Sequence, residues 1–356
     1  MKAANSLTGA PARAARLGWL LPPFSALYSL ATRLRLAAYR RHLFSVTKLD
    51  APVISVGNIT TGGTGKTPLV EWACRVIADQ GKRVCVLTRG YRRQNPTEQI
   101  VVSDGNKILA DVSAAGDEPL LLAKNLIGVA AVVCNSNRAL AGAWAINNLR
   151  SEVFVLDDGF QHLSVARDLN IATIDVTNPW GGGLLPYGHL REPVSGLARA
   201  DCVVLTRTEE PADLASITRT VQKIVGSAPV FRSRMCTSGL HALSGDNVEQ
   251  ASLISQPAGA ICGVGNPASF FNHLRREGFE LAFERAFPDH YNYQQADVNK
   301  ILAEAKQKGA RTILTTAKDA VKLSAIEFEF PCYVLEIKIS IAEEADLIQL
   351  IRNQLS

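Results

Sequence analysis

Not one aspartate or glutamate occurs in the first 49 residues, although the whole chain of 356 residues contains 33. That stretch carries Lys2, Arg13, Arg16, Arg33, Arg35, Arg40, Arg41 and Lys48. These eight positive charges exceed the formal net charge of +5, which leaves about −3 for everything from Asp50 onward. The body therefore has no general affinity for polyanions and nucleic acid is not an expected partner, whereas the arm suits an anionic surface. Paired cysteine motifs are missing as well: the seven cysteines (Cys74, Cys85, Cys134, Cys202, Cys236, Cys262 and Cys332) lie far apart and never form C-x-x-C. They are expected to be buried small hydrophobes in a reducing compartment, not disulfides or metal ligands. No internal repeat and no low-complexity tract interrupts the chain. With 47% hydrophobic and 20% charged residues, it should fold as two domains plus an appendage.

A long apolar run is also lacking. Leu17 to Thr32 is uncharged, but Pro22-Pro23 break it, and about 20 apolar residues are needed to cross a bilayer. After the prolines, Phe24, Leu27, Tyr28, Ala31, Leu34 and Ala38 recur at helical spacing. A basic amphipathic helix of this kind suits the headgroup layer of a membrane. Two other readings stay open: a helix packed on the protein's own core, and a cleaved signal peptide, which the Arg33-Leu34-Arg35 cluster opposes. Residues 1–15 are expected to be disordered and without a role.

From Val53 onward, short β-branched runs alternate with helical stretches. They fall at Val53–Val56, Val84–Leu87, Val132–Cys134, Val153–Leu156, Ile171–Ile174 and Cys202–Leu205. The pattern predicts an α/β fold with a mostly parallel sheet and helices on both faces, whose ligands collect at the carboxyl ends of the strands. A smaller C-terminal α/β domain follows, with strands expected near Gly259, Arg311 and Cys332. Its helices are expected near Pro267–Glu277, Gln294–Lys308 and Ala342–Gln354. Periodicity weakens between Gly226 and Gly245, which divides the chain into an arm at 1–50, a core at 51–228 and a smaller domain at 229–356.

The first strand runs into Gly57-Asn58-Ile59-Thr60-Thr61-Gly62-Gly63-Thr64-Gly65-Lys66-Thr67, with a helix predicted from Pro68 to about Gln80. Closely spaced glycines let backbone N–H groups wrap an anion, Lys66 reaches the outer phosphates and the Thr67 hydroxyl suits Mg²⁺. Pro68 fits a first helical turn, whose positive dipole end then faces the phosphates. Thr60 stands where the strict G-x-x-x-x-G-K-[ST] pattern has glycine, so the loop is a variant P-loop. The strand Val153 to Leu156 ends in Asp157-Asp158, and an acid at such a strand tip is the usual Mg²⁺ partner of Lys-Thr. Either acid could instead cap a turn. Taken singly, Asp117 looks like a helix start, Arg138 a solvated charge and His290 a satisfied core histidine.

Seven segments alter that picture. They are Gly57 to Pro68, Thr88-Arg89-Gly90-Tyr91, Gly116-Asp117-Glu118-Pro119, Leu156 to His162, Leu185 to Pro193, Pro288-Asp289-His290-Tyr291 and Thr315 to Lys322. In that order they resemble the tetraacyldisaccharide 4'-kinases of lipid A synthesis, over about Leu17 to Val334. Tyr187 and His189 depart from the small residues common there. The resemblance implies ATP and Mg²⁺ as cofactors and transfer of the γ-phosphoryl group to the 4'-hydroxyl of an acylated disaccharide 1-phosphate. It also implies residence at the cytoplasmic face of the bacterial inner membrane, with a glycolipid substrate and no protein partner.

Residue by residue, Thr60 through Thr67 would cradle the triphosphate. Thr67, Asp157, Asp158 and Glu192 would serve the metal, and Asp117 with His290 would act on the sugar hydroxyl beside Lys66. Tyr91, Arg138 and Gln161 would contact the substrate. Because Asp117 and His290 fall in different domains, the second domain is expected to close over the first. The competing reading is a P-loop switch or carrier ATPase acting on a protein partner, although such proteins often carry lysine where Thr61 stands. A GTPase would want Asn-Lys-x-Asp where Thr206-Arg207-Thr208-Glu209 lies, and a scaffold with a vestigial site does not explain so full a polar set.

Overall fold

A computed structural model describes residues 21–91, 93, 95–244, 247–248 and 255–355. The disorder expected at 1–15 lies outside the described residues. In chain order the elements are α1 (Leu21–Arg40), β1 (Val53–Asn58), α2 (Lys66–Ala78), β2 (Val84–Thr88), β3 (Ile100–Ser103), α3 (Val112–Ala115), α4 (Asp117–Asn125) and β4 (Ala130–Cys134). Then come α5 (Arg138–Leu149), β5 (Val153–Asp157), β6 (Leu169–Asp175), β7 (Cys202–Thr206), α6 (Leu214–Val225), β8 (Val230–Ala242) and β9 (Asn247–Val248). The chain ends with β10 (Ala258–Cys262), α7 (Pro267–Arg276), β11 (Leu281–Ala286), α8 (Gln295–Lys308), β12 (Thr312–Thr316), α9 (Ala317–Leu323), β13 (Cys332–Ile341) and α10 (Glu344–Arg352).

One sheet runs through the molecule in the order β11-β10-β12-β13-β8-β7-β6-β1-β5-β2-β4-β3, with β9 beside β8. Strands β8, β7, β6, β1, β5, β2 and β4 pair in parallel, and β3 joins β4 antiparallel at the edge. Parallel strands covered on both faces need apolar residues at every position, which is why the recurring Val and Ile runs were legible. Successive side chains then sort by face. Ile54, Val56, Val84, Val86 and Val155 pack against α2 and α4. Val53, Cys85, Leu87, Phe154 and Leu156 pack toward α5 on the other face. Each such side chain contributes about 1.5–3 kcal/mol on burial. Six of the seven cysteines are buried and all are free, Cys236 being half-buried.

The stretch 226–245, where periodicity weakens, contains β8. Its parallel start, Val230 to Arg232, pairs with β7, and the rest forms a long antiparallel ladder with β13. That ladder carries the sheet from the first half of the chain into the second, where β13, β12, β10 and β11 are again parallel.

Helix α1 begins with Pro22 and Pro23 in its first turn, where a missing N–H costs nothing. Phe24, Leu27, Leu30 and Leu34 are 53–64% exposed, so this apolar stripe faces away from the body. The expected face is corrected in part: Tyr28 and Ala38 turn inward, because the Tyr28 hydroxyl donates to the Arg191 carbonyl at 2.8 Å. No helix among the described residues is long and apolar enough to cross a membrane.

Candidate active site

The glycine-rich segment leaves β1 and enters α2 through Gly65, whose φ of 76° caps the helix in the left-handed region. Gly62 also lies there, at φ 103°, so two turns of the loop use conformations that residues with a Cβ resist. Thr60 is buried and accepts from the Asn58 amide at 3.1 Å, so the residue lacking from the strict pattern is fixed by a side-chain bond. The Thr61 N–H donates to the His189 carbonyl at 2.7 Å, which lays the 184–192 loop along the P-loop. Thr64 is held by the Thr173 and Thr206 hydroxyls. Lys66 donates to Asn58 Oδ1 at 3.2 Å and lies 3.5 Å from Asp158 Oδ1. From the second half of the chain, Gly265 approaches Gly63 so closely that a Cβ on it would meet the Gly63 nitrogen at 2.8 Å.

β5 is the immediate neighbour of β1, with Val56 opposite Asp157, so the acid-tipped strand ends beside the loop. Asp157 is buried and accepts from the Thr88 hydroxyl at 2.9 Å. Burial, together with the charges of Glu118 and Asp158, raises its carboxyl to about 6. Asp158 takes a positive φ of 50° and binds the Arg191 guanidinium at 2.6 Å. Burial acts against its charge, but Lys66, Arg191 and Arg138 outweigh it and lower the carboxyl to about 2. Its Oδ1 is buried with no hydrogen-bond donor, and Thr67 lines the same cleft. One hydroxyl and two carboxylates around a lysine form the hard-oxygen set that suits Mg²⁺, an ion that keeps several waters and phosphate oxygens. Glu192 is placed differently. Its two oxygens are taken by Arg199, at 2.8 and 3.0 Å, and Oε1 also accepts from Gln161 at 2.7 Å. Among the described residues no three His, Cys, Asp or Glu gather to hold a metal by themselves.

Asp117 and His290, 173 residues apart, are in contact: His290 Nδ1 lies 2.9 Å from both carboxylate oxygens. Gly116, at φ 87°, turns the chain into α4 and puts Asp117 at its first position. His290 has φ 61°, a strained value for a residue with a Cβ. Burial pushes the Asp117 carboxyl up, yet the hydrogen bonds from His290 and Lys322 and the charge of Lys318 hold it well below the usual carboxylate range. His290 lines the cleft and Asp117 lies behind it, 4% exposed.

The cleft measures about 1540 Å³ and also takes in the P-loop, Asp158, Arg138, Gln161 and Tyr91. Tyr91 is exposed and its ring centroid lies 5.6 Å from that of His290. Arg138 is buried, donates to the Asp157 carbonyl at 3.3 Å and sits 3.2 Å from His162 Nδ1. Burial and the surrounding guanidinium groups of Arg138, Arg167, Arg35 and Arg89 lower His162 to about 3, so that ring is neutral and accepts from Arg138. Gln161 donates to the Asn58 carbonyl as well as to Glu192.

The structure thus brings Thr61 through Thr67, Asp157, Asp158, Tyr91, Arg138, Gln161 and His290 to one cleft, with Asp117 directly behind, whereas Thr60 is buried against Leu190 and does not line it. Several contacts escaped the sequence reading: Asn58 on Lys66, Arg191 on Asp158, Arg199 on Glu192, and Lys318 and Lys322 around the Asp117–His290 pair. The four-residue spacing of the two lysines, which sets both on one helix face, was the available signal for the last.

Comparison with known proteins follows the same lines. The family model described as tetraacyldisaccharide-1-P 4'-kinase matches residues 17–356. A tetraacyldisaccharide 4'-kinase of Geobacter metallireducens is 41% identical over 312 residues, covering 86% of this chain and 89% of the relative. One of Halothermothrix orenii is 39% identical over 355 residues, covering 94% and 92%. The crystal structure of LpxK from Aquifex aeolicus, solved in complex with ATP, superposes with a TM-score of 0.78 at 33% identity and covers 96% of this chain and all of that one.

Proposed function

The chain belongs to the tetraacyldisaccharide-1-P 4'-kinase family, and on that premise we propose that it transfers the γ-phosphoryl group of ATP to the 4'-hydroxyl of a tetraacyldisaccharide 1-phosphate. The observation that carries this reading is the Asp117–His290 contact at 2.9 Å, in a cleft shared with the P-loop.

Phosphoryl transfer asks a protein mainly for alignment and for neutralisation of charge. The N–H groups of Gly62 through Thr67 cradle the triphosphate, with Thr60 and Thr61 pinned to the 184–192 loop behind them, and Lys66 moves from Asn58 and Asp158 onto its outer oxygens. Thr67, Asp157 and Asp158 would hold Mg²⁺, which would neutralise the phosphate charge when bound. Glu192 serves that site indirectly, since Gln161 and Arg199 already occupy its carboxylate. The O4' oxygen attacks the γ-phosphorus, the bond to the ADP oxygen breaks, and the O4' proton passes to the Asp117–His290 pair. His290 is the member that faces the cleft, and Asp117 orients and balances it. Tyr91, Arg138 and Gln161 line the acceptor side.

In this reading residues 1–50 are a membrane-associating arm, 51–228 the kinase core and 229–356 a smaller unit that closes over it about the β8–β13 ladder. The exposed stripe of α1 and the acid-free basic arm support peripheral residence on an anionic membrane, at the cytoplasmic face of the inner membrane. No protein partner is required. The test is incubation of the full chain with γ-labelled MgATP and a disaccharide 1-phosphate lipid in detergent, with label expected in the lipid. Unlabelled lipid, together with ATP hydrolysis that appears on adding a protein partner, would show a switch ATPase instead.

A further inference from the structure

The segment Thr315 to Lys322 carries resemblance but no task, and in the structure it meets the Asp117–His290 pair. The Thr316 side chain caps α9 by accepting from the Asp319 N–H. The buried Asp319 carboxylate in turn accepts from the Gly263 N–H and the Tyr293 hydroxyl at 3.0 Å, which fastens the first turn of α9 to the end of β10. From that anchored turn, Lys318 and Lys322 point together toward the start of α4. The Lys322 ammonium lies 2.7 Å from Asp117 Oδ2 and donates to the Tyr291 carbonyl at 3.1 Å. Lys318 donates to Glu118 Oε1 at 2.8 Å and to Asp289 Oδ1 at 3.1 Å, and its third neighbour is His290 Nε2 at 3.3 Å.

An ammonium group has three donors and no acceptor. Beside Nε2, Lys318 makes that nitrogen the lone-pair side of the ring, which leaves the imidazole proton on Nδ1 for Asp117. The Lys322–Asp117 pair is shielded, with 12% and 4% of the two side chains exposed, and Lys318 is 16% exposed beside the more open Glu118. A cation so placed is worth more to its carboxylate than one in water.

We propose that Lys318 and Lys322 are positioning residues for the transfer step: Lys322 keeps Asp117 charged and fixed, Lys318 sets the His290 tautomer, and the base is assembled only while α9 lies against α4. The acceptor hydroxyl takes the place of Lys318 at Nε2, while Glu118 and Asp289 keep the ammonium alongside. The charged and titratable groups facing the pair are Lys318 and Lys322 from α9, Glu118 from α4, Asp289 from the loop before α8, and Tyr91 from the loop after β2. Burial lowers the Lys318 pKa, but Glu118 and Asp289 outweigh it and keep the ammonium charged.

The rate readout rests on the kinase reading; the tautomer readout does not. Full-length Lys318→Met, Lys322→Met and Lys322→Arg are compared with wild type by pH profiles of kcat, by ATP affinity and by ¹⁵N NMR of the imidazoles, with His290→Gln assigning the His290 signals. Removing either cation favours the protonated pair, so the acid limb of the profile should rise by about one pH unit or more in both Met variants. Lys322→Arg keeps the charge and should keep the wild-type limb. ATP affinity should stay within about twofold throughout. In wild type, His290 should carry its proton on Nδ1, and Lys318→Met should mix the tautomers. An Nε2–H tautomer in wild type overturns the proposal whatever the variants do, as does an unmoved acid limb in variants that bind ATP normally. Lipid left unphosphorylated by wild type, with the expected tautomer present, would count against the kinase reading alone.

Discussion

Glu71 sits on α2, a little over one turn past the phosphate loop, and burial raises its carboxyl from 4.5 to about 7, against the hydrogen bond from Asn125 and the charge of Arg75. The folded state therefore favours the protonated acid. Its stabilising effect is complete below the unfolded value of 4.5 and is lost as pH rises through about 7. Glu71→Gln keeps an acceptor for Asn125 and cannot ionise. Its melting temperature should exceed that of wild type by a widening margin between about pH 5 and pH 8, reaching a few degrees; a margin that does not vary with pH would contradict this. Gly57 makes a steric case. A Cβ there would meet the Phe160 nitrogen at 2.5 Å, so Gly57→Ala should cost about 1–3 kcal/mol by denaturant unfolding. Neither residue was legible in advance. Glu71 with Arg75 four residues on looks like a solvated helical pair, and its hydrogen-bond partner Asn125 lies 54 residues away. Asp117 and His290 were equally bland alone, because their meaning lies in a contact spanning 173 residues.

At the scale of elements, α1 is fastened by its polar side. Ser25 donates to the Leu184 carbonyl and accepts from the Tyr187 N–H, both at 3.1 Å, and Arg35 reaches the Gln161 carbonyl. Its apolar stripe makes none of these bonds. Phe24→Ser with Leu27→Ser and Leu34→Ser should therefore move the protein from vesicle-bound to free in sedimentation assays while leaving its melting temperature unchanged; unaltered binding would mean the stripe has another use. Periodicity placed this helix, but the choice of inward residues depended on carbonyls in the 184–191 loop. Strands β1, β2, β4, β5, β6 and β7 were legible because burial on both faces demands unbroken apolar runs. β8 was not: Arg232 and Arg234 alternate outward with the buried Phe231, Ser233 and Met235, so polar positions dilute its pattern, and Gly239 adds a loop-like signal.

The whole molecule combines a basic, acid-free arm with a body of opposite net charge. Association with anionic vesicles should weaken as salt rises from about 0.05 to 0.5 M, since exposed charges are screened beyond a few ångströms at high salt. Salt-independent binding would assign the attachment to the apolar stripe alone. The β8–β13 ladder lets one sheet carry both walls of the cleft, with the P-loop, Asp157 and Asp158 on one and His290 and Lys318 on the other. In the proposed mechanism this cleft binds nucleotide through the loop and takes a proton through the Asp117–His290 pair. The most direct test measures ATP binding and phosphoryl transfer to the disaccharide 1-phosphate lipid on the same preparations of wild type, Asp117→Asn and His290→Gln. Transfer should fall by about 10²–10⁴-fold in both variants while ATP affinity stays within about twofold. Parallel loss of binding and transfer, or variants as active as wild type, would rule out the Asp117–His290 pair as the proton acceptor.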